Sequence, residues 1–272
     1  MTKIDINNIS MNYNVEDSST SALHNINLHL KDGEFVSIIG PSGCGKSTLI
    51  DIIAGLKKPT QGNVVVGNRE VIGPSPDLGI VFQDYSLFPW MTSYENLKFA
   101  IEHTNEGLKT KEIDDRAKKY LNIVGLSNFA NKFPNTLSGG MRQRLAIARM
   151  FATEPKVFLM DEPFGALDAL NRVHMQDLLI YLWSRGDKRE TTLYVTHDVD
   201  EAILLSDKIV VMTPSPGQIK EIIKVDFERP RCRTDLVKCI EYMRLRSNLL
   251  SLLNEEMLDA LAEQEKHMRE LV

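Results

Sequence analysis

The sequence predicts an α/β fold built around a parallel sheet, and three observations support that prediction. An apolar segment at residues 35–39 ends in a glycine-rich loop and precedes a helical pattern over residues 46–56. A second apolar segment, residues 157–160, ends in two carboxylates. After Pro155, short apolar segments and helical patterns alternate. Buried parallel strands are apolar throughout and are joined by helices, so this order favours parallel α/β layering.

Other segments fit the same architecture. Apolar residues alternate loosely over residues 4–9 and clearly over 23–30, which predicts two N-terminal strands. Further strands are predicted at residues 64–66 and 79–82, on either side of a loop rich in proline and glycine. After Pro155, the predicted elements are strands at residues 157–160, 192–195 and 208–212 and a helix at 171–183.

Two regions have helical patterns outside this alternation. From Tyr94 to Ala130, apolar residues recur at helical spacing with charged runs between them, which predicts a helical insert. No glycine follows Gly217, and residues 236–271 are rich in Leu, Met, Glu and Lys at helical spacing. This tail is expected to pack on the preceding domain, or alternatively to contact a second copy or a regulator.

Composition excludes several classes of protein. The chain has 272 residues and a net charge of -5, which disfavours a general nucleic-acid-binding surface. No apolar run is long enough to cross a bilayer, and the N-terminus lacks the apolar core of a secretory signal. The three cysteines, Cys44, Cys232 and Cys239, do not cluster as metal ligands, and their odd number leaves at least one unpaired within the chain. A reduced, cytosolic setting is the simplest expectation.

Residues 40–47 match the phosphate-loop pattern G-x-x-x-x-G-K-S/T without a gap. The glycines allow backbone N–H groups to face phosphate oxygens, and the following helix directs its positive end to the same place. We predict that Lys46 bridges the β- and γ-phosphates and that the Ser47 hydroxyl binds Mg²⁺. The alternative is a glycine turn that only closes a strand–helix connection. The residues expected to bind nucleotide here are Gly40, Pro41, Ser42, Gly43, Cys44, Gly45, Lys46, Ser47 and Thr48.

The strand over residues 157–160 predicts a catalytic pair at its end. Asp161 and Glu162 follow it directly. Because the strand is buried beside the phosphate loop, we expect Asp161 to position Mg²⁺ and Glu162 to act as general base toward water. Two solvated acids at a strand end would be the structural alternative.

A second glycine turn lies at residues 137–144, Leu-Ser-Gly-Gly-Met-Arg-Gln-Arg. Ser138 can cap a helix over residues 139–149, so that free N–H groups face outward toward an anion. A capped basic helix explains the arginines of this segment, whereas the pair Gly139-Gly140 remains unexplained. Two phosphate-binding motifs in one small chain indicate that each nucleotide is held from two sides, by two copies of the protein.

Together, these motifs resemble the ATP-binding cassette (ABC) family over nearly all of residues 1–225. The resemblance implies a P-loop ATPase fold with a RecA-like parallel-sheet core, an antiparallel β subdomain and a helical subdomain at about 91–150. Residues 226–272 would form a C-terminal helical extension. The signature loop would be residues 137–141, with Met141 where glutamine is commoner.

Further roles follow from the resemblance alone. Tyr13 is similar to the aromatic residue that stacks on adenine, although a lone tyrosine after a strand more often packs. Gln83 is similar to the glutamine that contacts Mg²⁺ and water. Asp168 corresponds to the aspartate that crosses the dimer interface. His197 corresponds to the histidine at the γ-phosphate; by itself, a histidine at a strand end is more often structural.

Several short sequence segments resemble those of the nitrate/sulfonate/taurine-type importers. They occur at residues 73–77, 82–90 and 212–217. In ABC transporters the face around residues 83–90 receives a helix of the membrane subunit, and aromatic anchors suit such a surface. Trp90 is therefore predicted to face a permease subunit, the alternative being that it packs the root of the helical insert.

The predicted function is the ATP-hydrolysing subunit of an ABC importer for a small anion or organic solute. Two copies would clamp two Mg-ATP molecules head to tail, with Ser138, Gly139 and Gly140 of one copy facing the other's nucleotide. The expected location is the cytoplasmic face of the membrane, with a periplasmic or extracellular binding protein as indirect partner. A soluble ABC ATPase of DNA repair or translation and a small-molecule kinase are the alternatives. Neither a coiled coil nor a second cassette supports the former, and the latter leaves residues 137–141 unexplained.

Overall fold

The computed structural model describes residues 2–15, 18–105, 107–165, 167–185 and 189–270; the side chains of residues 14, 15, 18 and 256–270 are not described. The predicted domain ends at residues 1 and 272 lie outside these ranges. The strands are β1 (Ile4–Val15), β2 (Ser18–Leu30), β3 (Phe35–Ile39), β4 (Gln61–Val66), β5 (Arg69–Glu70), β6 (Leu78–Val81), β7 (Val157–Asp161), β8 (Thr191–Val195), β9 (Lys208–Met212) and β10 (Ile219–Lys224). The helices are α1 (Lys46–Ile53), α2 (Ser93–Thr104), α3 (Thr110–Ile123), α4 (Gly139–Ala152), α5 (Ala169–Trp183), α6 (Val199–Leu205), α7 (Arg233–Leu236) and α8 (Ile240–Glu270).

The larger sheet confirms the predicted parallel core. Its strand order is β10-β9-β3-β8-β7-β6, and all neighbours are parallel except the edge pair β10 and β9. β3, β7 and β8 are buried along their whole lengths, which explains why most of their residues are apolar. Since the parallel strands end at one edge, the loop after β3, the carboxylates after β7 and His197 after β8 lie at the same edge of the sheet.

The smaller sheet is antiparallel, with the order β2-β1-β4-β5. Apolar side chains of β1 and β2 form one core with α1 and with one face of the larger sheet. β1 and β2 extend beyond the predicted strands at residues 4–9 and 23–30, and their extra residues are mostly polar. β5 and β10 were not predicted. β5 has only two residues. β10 is an edge strand in which Ile219 and Ile223 are half-buried and the other residues are exposed.

Helices α2, α3 and α4 share a separate apolar core, as expected of a helical insert. α2 begins at a capping box: the Thr92 hydroxyl accepts from the N–H of Glu95, and the Glu95 carboxylate accepts from the N–H of Thr92. The predicted helix over residues 46–56 is shorter than expected. It ends at Ile53 because Gly55 adopts a φ of 73°.

The C-terminal segment packs against the core, in line with the first of the two expectations for the tail. Leu236, Tyr242 and Leu249 are buried in the cluster that contains α5 and α6. The segment before α7 also holds the end of α6. The Arg231 guanidinium, 2% exposed, donates to the carbonyls of Ile203, Leu204 and Ser206 and to those of Val225 and Phe227. The carbonyls of Ile203, Leu204 and Ser206 lie at the C-terminal end of α6, where the last carbonyls have no partner within the helix.

We expect Arg231→Met to lower the free energy of unfolding by about 3 kcal/mol, because several buried carbonyls lose their donor. Thermal unfolding should show a Tm lower by about 6–12 °C for a chain of this size. Arg244→Met makes the same chemical change at an exposed position of α8 and should leave Tm unchanged. Equal Tm values for the two variants would contradict this account of Arg231.

Candidate nucleotide site

The loop between β3 and α1 has the geometry of a phosphate cradle. Gly45 precedes α1 with a φ of 95°, and a Cβ there would lie 2.6 Å from Leu23 Cδ2. Only glycine satisfies both constraints. The Lys46 ammonium donates to the carbonyls of Gly40 and Pro41, each at 2.9 Å, which folds this side chain over the loop. A buried ammonium beside the positive end of α1 suits an anion of high charge.

One open cleft of about 470 Å³ brings most of the predicted nucleotide residues together. This volume is in the range of small-molecule sites. Gly40, Pro41 and Cys44 are not among its lining residues; Cys44 is buried behind the loop, and its burial raises the pKa of the thiol. The lining residues are Tyr13, Thr20, Ala22, Ser42, Gly43, Gly45, Lys46, Ser47, Thr48, Gln83, Glu162 and Ser215.

Tyr13 is held at the edge of this cleft by polar contacts. Its hydroxyl lies 3.3 Å from Thr48 Oγ1 and accepts from Lys57 Nζ at 3.1 Å. The Lys57 ammonium also lies 5.4 Å from the centre of the Tyr13 ring, within range of a cation–π contact. The ring is thus anchored at the mouth of the cleft and is not part of the core. This placement suits the predicted stacking role better than a packing role.

The two carboxylates after β7 occupy different environments. Asp161 is buried, and burial raises the pKa of its carboxyl, partly offset by a hydrogen bond with the Ser47 hydroxyl. Among the described residues, Asp161 Oδ1 has no hydrogen-bond partner. Glu162 has a φ of 44°, an uncommon conformation for a residue other than glycine that recurs at functional sites. His197 Nδ1 lies 3.4 Å from Glu162 Oε2, so the predicted base and the predicted γ-phosphate histidine are neighbours.

The oxygen donors at this edge suit a hard cation. Ser47 and Asp161 are in contact, and Gln83 lines the same cleft. A hydroxyl, a carboxylate with a free buried oxygen and an amide oxygen are the ligand types that Mg²⁺ takes alongside phosphate oxygens and water. The donor set therefore fits the predicted metal.

The second predicted anion-binding segment, residues 137–144, does not line this cleft. Ser138 caps α4, its hydroxyl accepting from the N–H of Met141 at 3.3 Å. Among described atoms, a Cβ at Gly139 would meet nothing within 4 Å, and one at Gly140 would make only ordinary contacts. Packing among the described residues therefore does not require either glycine.

Asp168 lies at the start of α5, also away from the cleft. Its carboxylate accepts from the backbone N–H of Asn171 at 3.1 Å and from the Asn171 side-chain amide at 2.6 Å. The Asn171 side chain lowers the pKa of this carboxyl, which is fully exposed. Within one copy, Asp168 is a helix cap that still presents its carboxylate to solvent.

The sequence missed several residues near the site. Thr20, Ala22 and Ser215 reach the cleft from β2 and from the loop after β9. Glu201 on α6 accepts hydrogen bonds from Thr196, next to His197, and from Gln176 on α5. The spacing Asp198-x-x-Glu201 is a helix-start signature that would have located α6. No sequence pattern would have revealed the inward orientation of Glu201.

The pH dependence of stability should reveal this buried acid. Burial raises the pKa of Glu201, opposed by the hydrogen bonds from Thr196 and Gln176. A raised folded-state pKa stabilises the protein below the unfolded pKa, about 4.3, and this stabilisation is lost as pH rises through the folded pKa. The stability of Glu201→Gln relative to wild type should therefore increase from pH 4 to pH 7 in denaturant unfolding.

Glu241→Gln provides a control of opposite sign. A hydrogen bond from Cys239 lowers the pKa of the exposed Glu241 carboxyl, so this variant should lose relative stability over the same pH range. Parallel pH profiles for the two variants would refute the assignment of Glu201 as a buried acid of raised pKa.

An aromatic group that includes the exposed Trp90 follows Gln83 in the chain. The Phe88 ring contacts Trp90 at 5.6 Å and Phe99 at 5.1 Å between centroids, and Phe99 stacks on His103. Trp90 is 69% exposed, so it does not pack the root of the insert. Arg149 donates to the carbonyls of Tyr85 and Ser86, which ties this loop to α4.

Known proteins share this architecture. A family model described as ABC transporter matches residues 23–165. An uncharacterised ABC transporter ATP-binding protein of Methanocaldococcus jannaschii is 46% identical over 259 residues, 95% of this chain and 94% of that protein. The bicarbonate transport ATP-binding protein CmpC of Synechococcus elongatus is 48% identical over 236 residues, 86% of this chain but 35% of CmpC. A solved dimer of an ATP-binding cassette in a post-hydrolysis state with ADP and Pi is 35% identical, with a TM-score of 0.74, over 83% of this chain and all of that one.

Proposed function

The chain belongs to the ABC transporter family, and on that premise we propose that it powers an importer for a small anion or organic solute. Family membership makes it an ATP-binding subunit that hydrolyses ATP in support of transport. The described helices include none that is both long and apolar enough to cross a membrane. Because the family is one of transporters, the proposal includes membrane-spanning partners, with this subunit at the cytoplasmic face.

The observation that carries the proposal is the unexplained glycine pair beside Ser138. These residues form an N–H surface at the start of α4 that packing among the described residues does not require and that does not line the cleft. We propose that two copies associate head to tail, so that this surface binds the γ-phosphate held by the other copy's residues 40–48. Preorganised N–H groups there would complete the neutralisation of charge that phosphoryl transfer requires. The solved cassette similar to this chain is a dimer.

Within each copy, the cleft divides the work among its side chains. Tyr13 would stack on adenine, Lys46 would hold the β- and γ-phosphates, and Glu162 would accept a proton from the attacking water. His197, 3.4 Å from Glu162, would contact the γ-phosphate. Mg²⁺, when bound, would offset phosphate charge and would be held by Ser47, Gln83 and Asp161. Asp168 would face the second copy.

The importer assignment rests on two kinds of similarity. Residues 73–77, 82–90 and 212–217 resemble the nitrate/sulfonate/taurine type, and the bicarbonate protein CmpC is 48% identical. We propose a substrate of this general class, delivered by a periplasmic or extracellular binding protein. We also propose that residues 1–225 form the nucleotide-binding domain, with a helical subdomain at about 91–150, and that residues 226–272 form a C-terminal helical extension.

The aromatic group at Phe88–Trp90 provides the test of the membrane partner. We expect Trp90→Asp to reduce recovery of membrane-spanning subunits from detergent-solubilised membranes by about 30-fold or more, the effect of losing a buried aromatic anchor. The basal ATPase rate should not change, because Trp90 does not line the nucleotide cleft.

Ile72→Asp is the matched control. Ile72 is also a highly exposed apolar residue, but it follows β5 of the smaller sheet and does not line the cleft. This variant should recover the membrane subunits normally. If wild type recovers no membrane-spanning partner, the transport proposal fails, and if Trp90→Asp recovers as much as Ile72→Asp, the docking surface is wrong.

A further inference from the structure

A buried acid that the proposed chemistry does not use lies one turn after His197. Glu201 is 4% exposed on α6. Its backbone N–H donates to Asp198 Oδ1 at 3.0 Å, which is one half of a capping box. The other half is missing, because the Glu201 carboxyl turns inward and accepts from Gln176 Nε2 and Thr196 Oγ1, both at 2.5 Å.

Glu201 contacts both chain neighbours of His197, Thr196 through its carboxyl and Asp198 through its backbone N–H. The Thr196 hydroxyl donates to Glu201 and accepts from the N–H of Asp198 at 3.0 Å. The Asp198 side chain in turn accepts from the Glu201 N–H. The His197 side chain is itself 57% exposed, so its position beside Glu162 depends on the backbone turn more than on packing of the ring. Glu201 fixes that turn from both sides.

The hydrogen-bond chain continues into the C-terminal extension. Arg233 Nη1 donates to Gln176 Oε1 at 2.5 Å, and Arg233 Nη2 donates to Asp177 Oδ1 at 3.0 Å. A guanidinium can only donate, so it forces the oxygen of the Gln176 amide toward Arg233 and the NH₂ group toward Glu201. Without Arg233, the amide could rotate and turn its oxygen toward Glu201, where two acceptors would face each other.

We propose that Glu201, Gln176 and Arg233 are positioning residues for His197, and that the C-terminal extension thereby sets the rate of ATP hydrolysis. Arg233 contacts neither the cleft nor the proposed dimer surface. The inference rests on the proposed role of His197 at the γ-phosphate. It assigns the extension a function in addition to packing, because the extension supplies the donor that orients the buried chain.

Substitution of Arg233 should affect the rate of ATP hydrolysis and the affinity for ATP differently. Tyr13 and residues 40–48 bind nucleotide without help from α6, whereas a shift of His197 by about 1 Å affects only the reacting geometry. We expect Arg233→Met to lower kcat about tenfold and to leave the Kd for ATP within about twofold. Arg233→Lys should restore part of kcat, since an ammonium can still donate to Gln176 Oε1.

The experiment measures ATPase kinetics, ATP affinity and Tm for full-length variants. Thr196→Val, which removes the hydroxyl between Glu201 and Asp198 with little change of shape, should reproduce the loss of kcat and serves if Arg233→Met folds poorly. Arg246→Met is the control. Arg246 also joins the extension to α6, through Asp200 at 2.6 Å, but lies outside the chain of contacts to Thr196, so its kcat should stay at the wild-type value.

Variants made in a His197→Ala background separate the role of His197 in hydrolysis from its positioning by Arg233. If the hydrogen bonds from Arg233 to Thr196 act through His197, Arg233→Met should cause no further loss of kcat in that background. An equal additional loss there, or a wild-type kcat for both Arg233→Met and Thr196→Val, would overturn the inference while leaving the proposed function intact. A wild-type kcat for His197→Ala alone would instead remove the role of His197 and the inference with it.

Discussion

Glu162→Gln should hydrolyse ATP about 10²–10³ times more slowly than wild type, with a Kd for ATP within about twofold. Glutamine preserves the shape of the side chain but cannot accept the proton of the attacking water. Glu162 adopts a φ of 44° at the end of β7 and lines the cleft opposite the phosphate loop. Single-turnover and steady-state phosphate release should both fall, since the change acts on the chemical step.

Glu154→Gln is the control for this substitution. Glu154 also has a positive φ, 51°, and its carboxylate contacts Arg116, but it lies outside the cleft. The same chemical change there should leave the rate of hydrolysis at the wild-type value. A wild-type rate for Glu162→Gln would show that another group is the base.

Lys46→Met should have the second large effect and should act on binding as well as on chemistry. Its ammonium lies over the loop, 2.9 Å from the carbonyls of Gly40 and Pro41, where a phosphate oxygen would compete for it. Loss of a buried charge-assisted donor should weaken ATP binding by about 30-fold or more and lower the rate by about 10²–10³.

Isothermal titration and phosphate-release assays would measure these two effects separately. Lys58→Met, which removes an exposed lysine just after α1, should change neither quantity. ATP affinity unchanged in Lys46→Met would contradict the assignment of this loop as the phosphate cradle.

The sequence predicted the parts of the site that are contiguous in the chain. The phosphate loop and the carboxylates after β7 are local patterns, and a buried strand before each of them places both at one sheet edge. Tyr13 could be proposed only by resemblance, because its contacts with Thr48 and Lys57 join residues 35 and 44 positions away.

Other features depend on tertiary packing that leaves no local signal. Ser215 reaches the cleft because β9 lies beside β3 in the sheet. Glu201 is one charged residue in a short helix, and its burial depends on Gln176 and Arg233, which approach from two other elements. The extension was expected to be helical from its spacing, but the hydrogen bonds of Arg231 and Arg233 to α6 and α5 follow only from the fold.

The central claim is that two copies complete each nucleotide site through the surface at Ser138–Gly140. Gly139→Leu tests it, because a Cβ at this first residue of α4 would meet no described atom within 4 Å in one copy. The measurement is the molar mass of Glu162→Gln by light scattering with saturating ATP, with and without Gly139→Leu. We predict a dimer for Glu162→Gln and a monomer of unchanged ATP affinity for the double variant. A monomeric Glu162→Gln, or a double variant that still dimerises, would contradict the account.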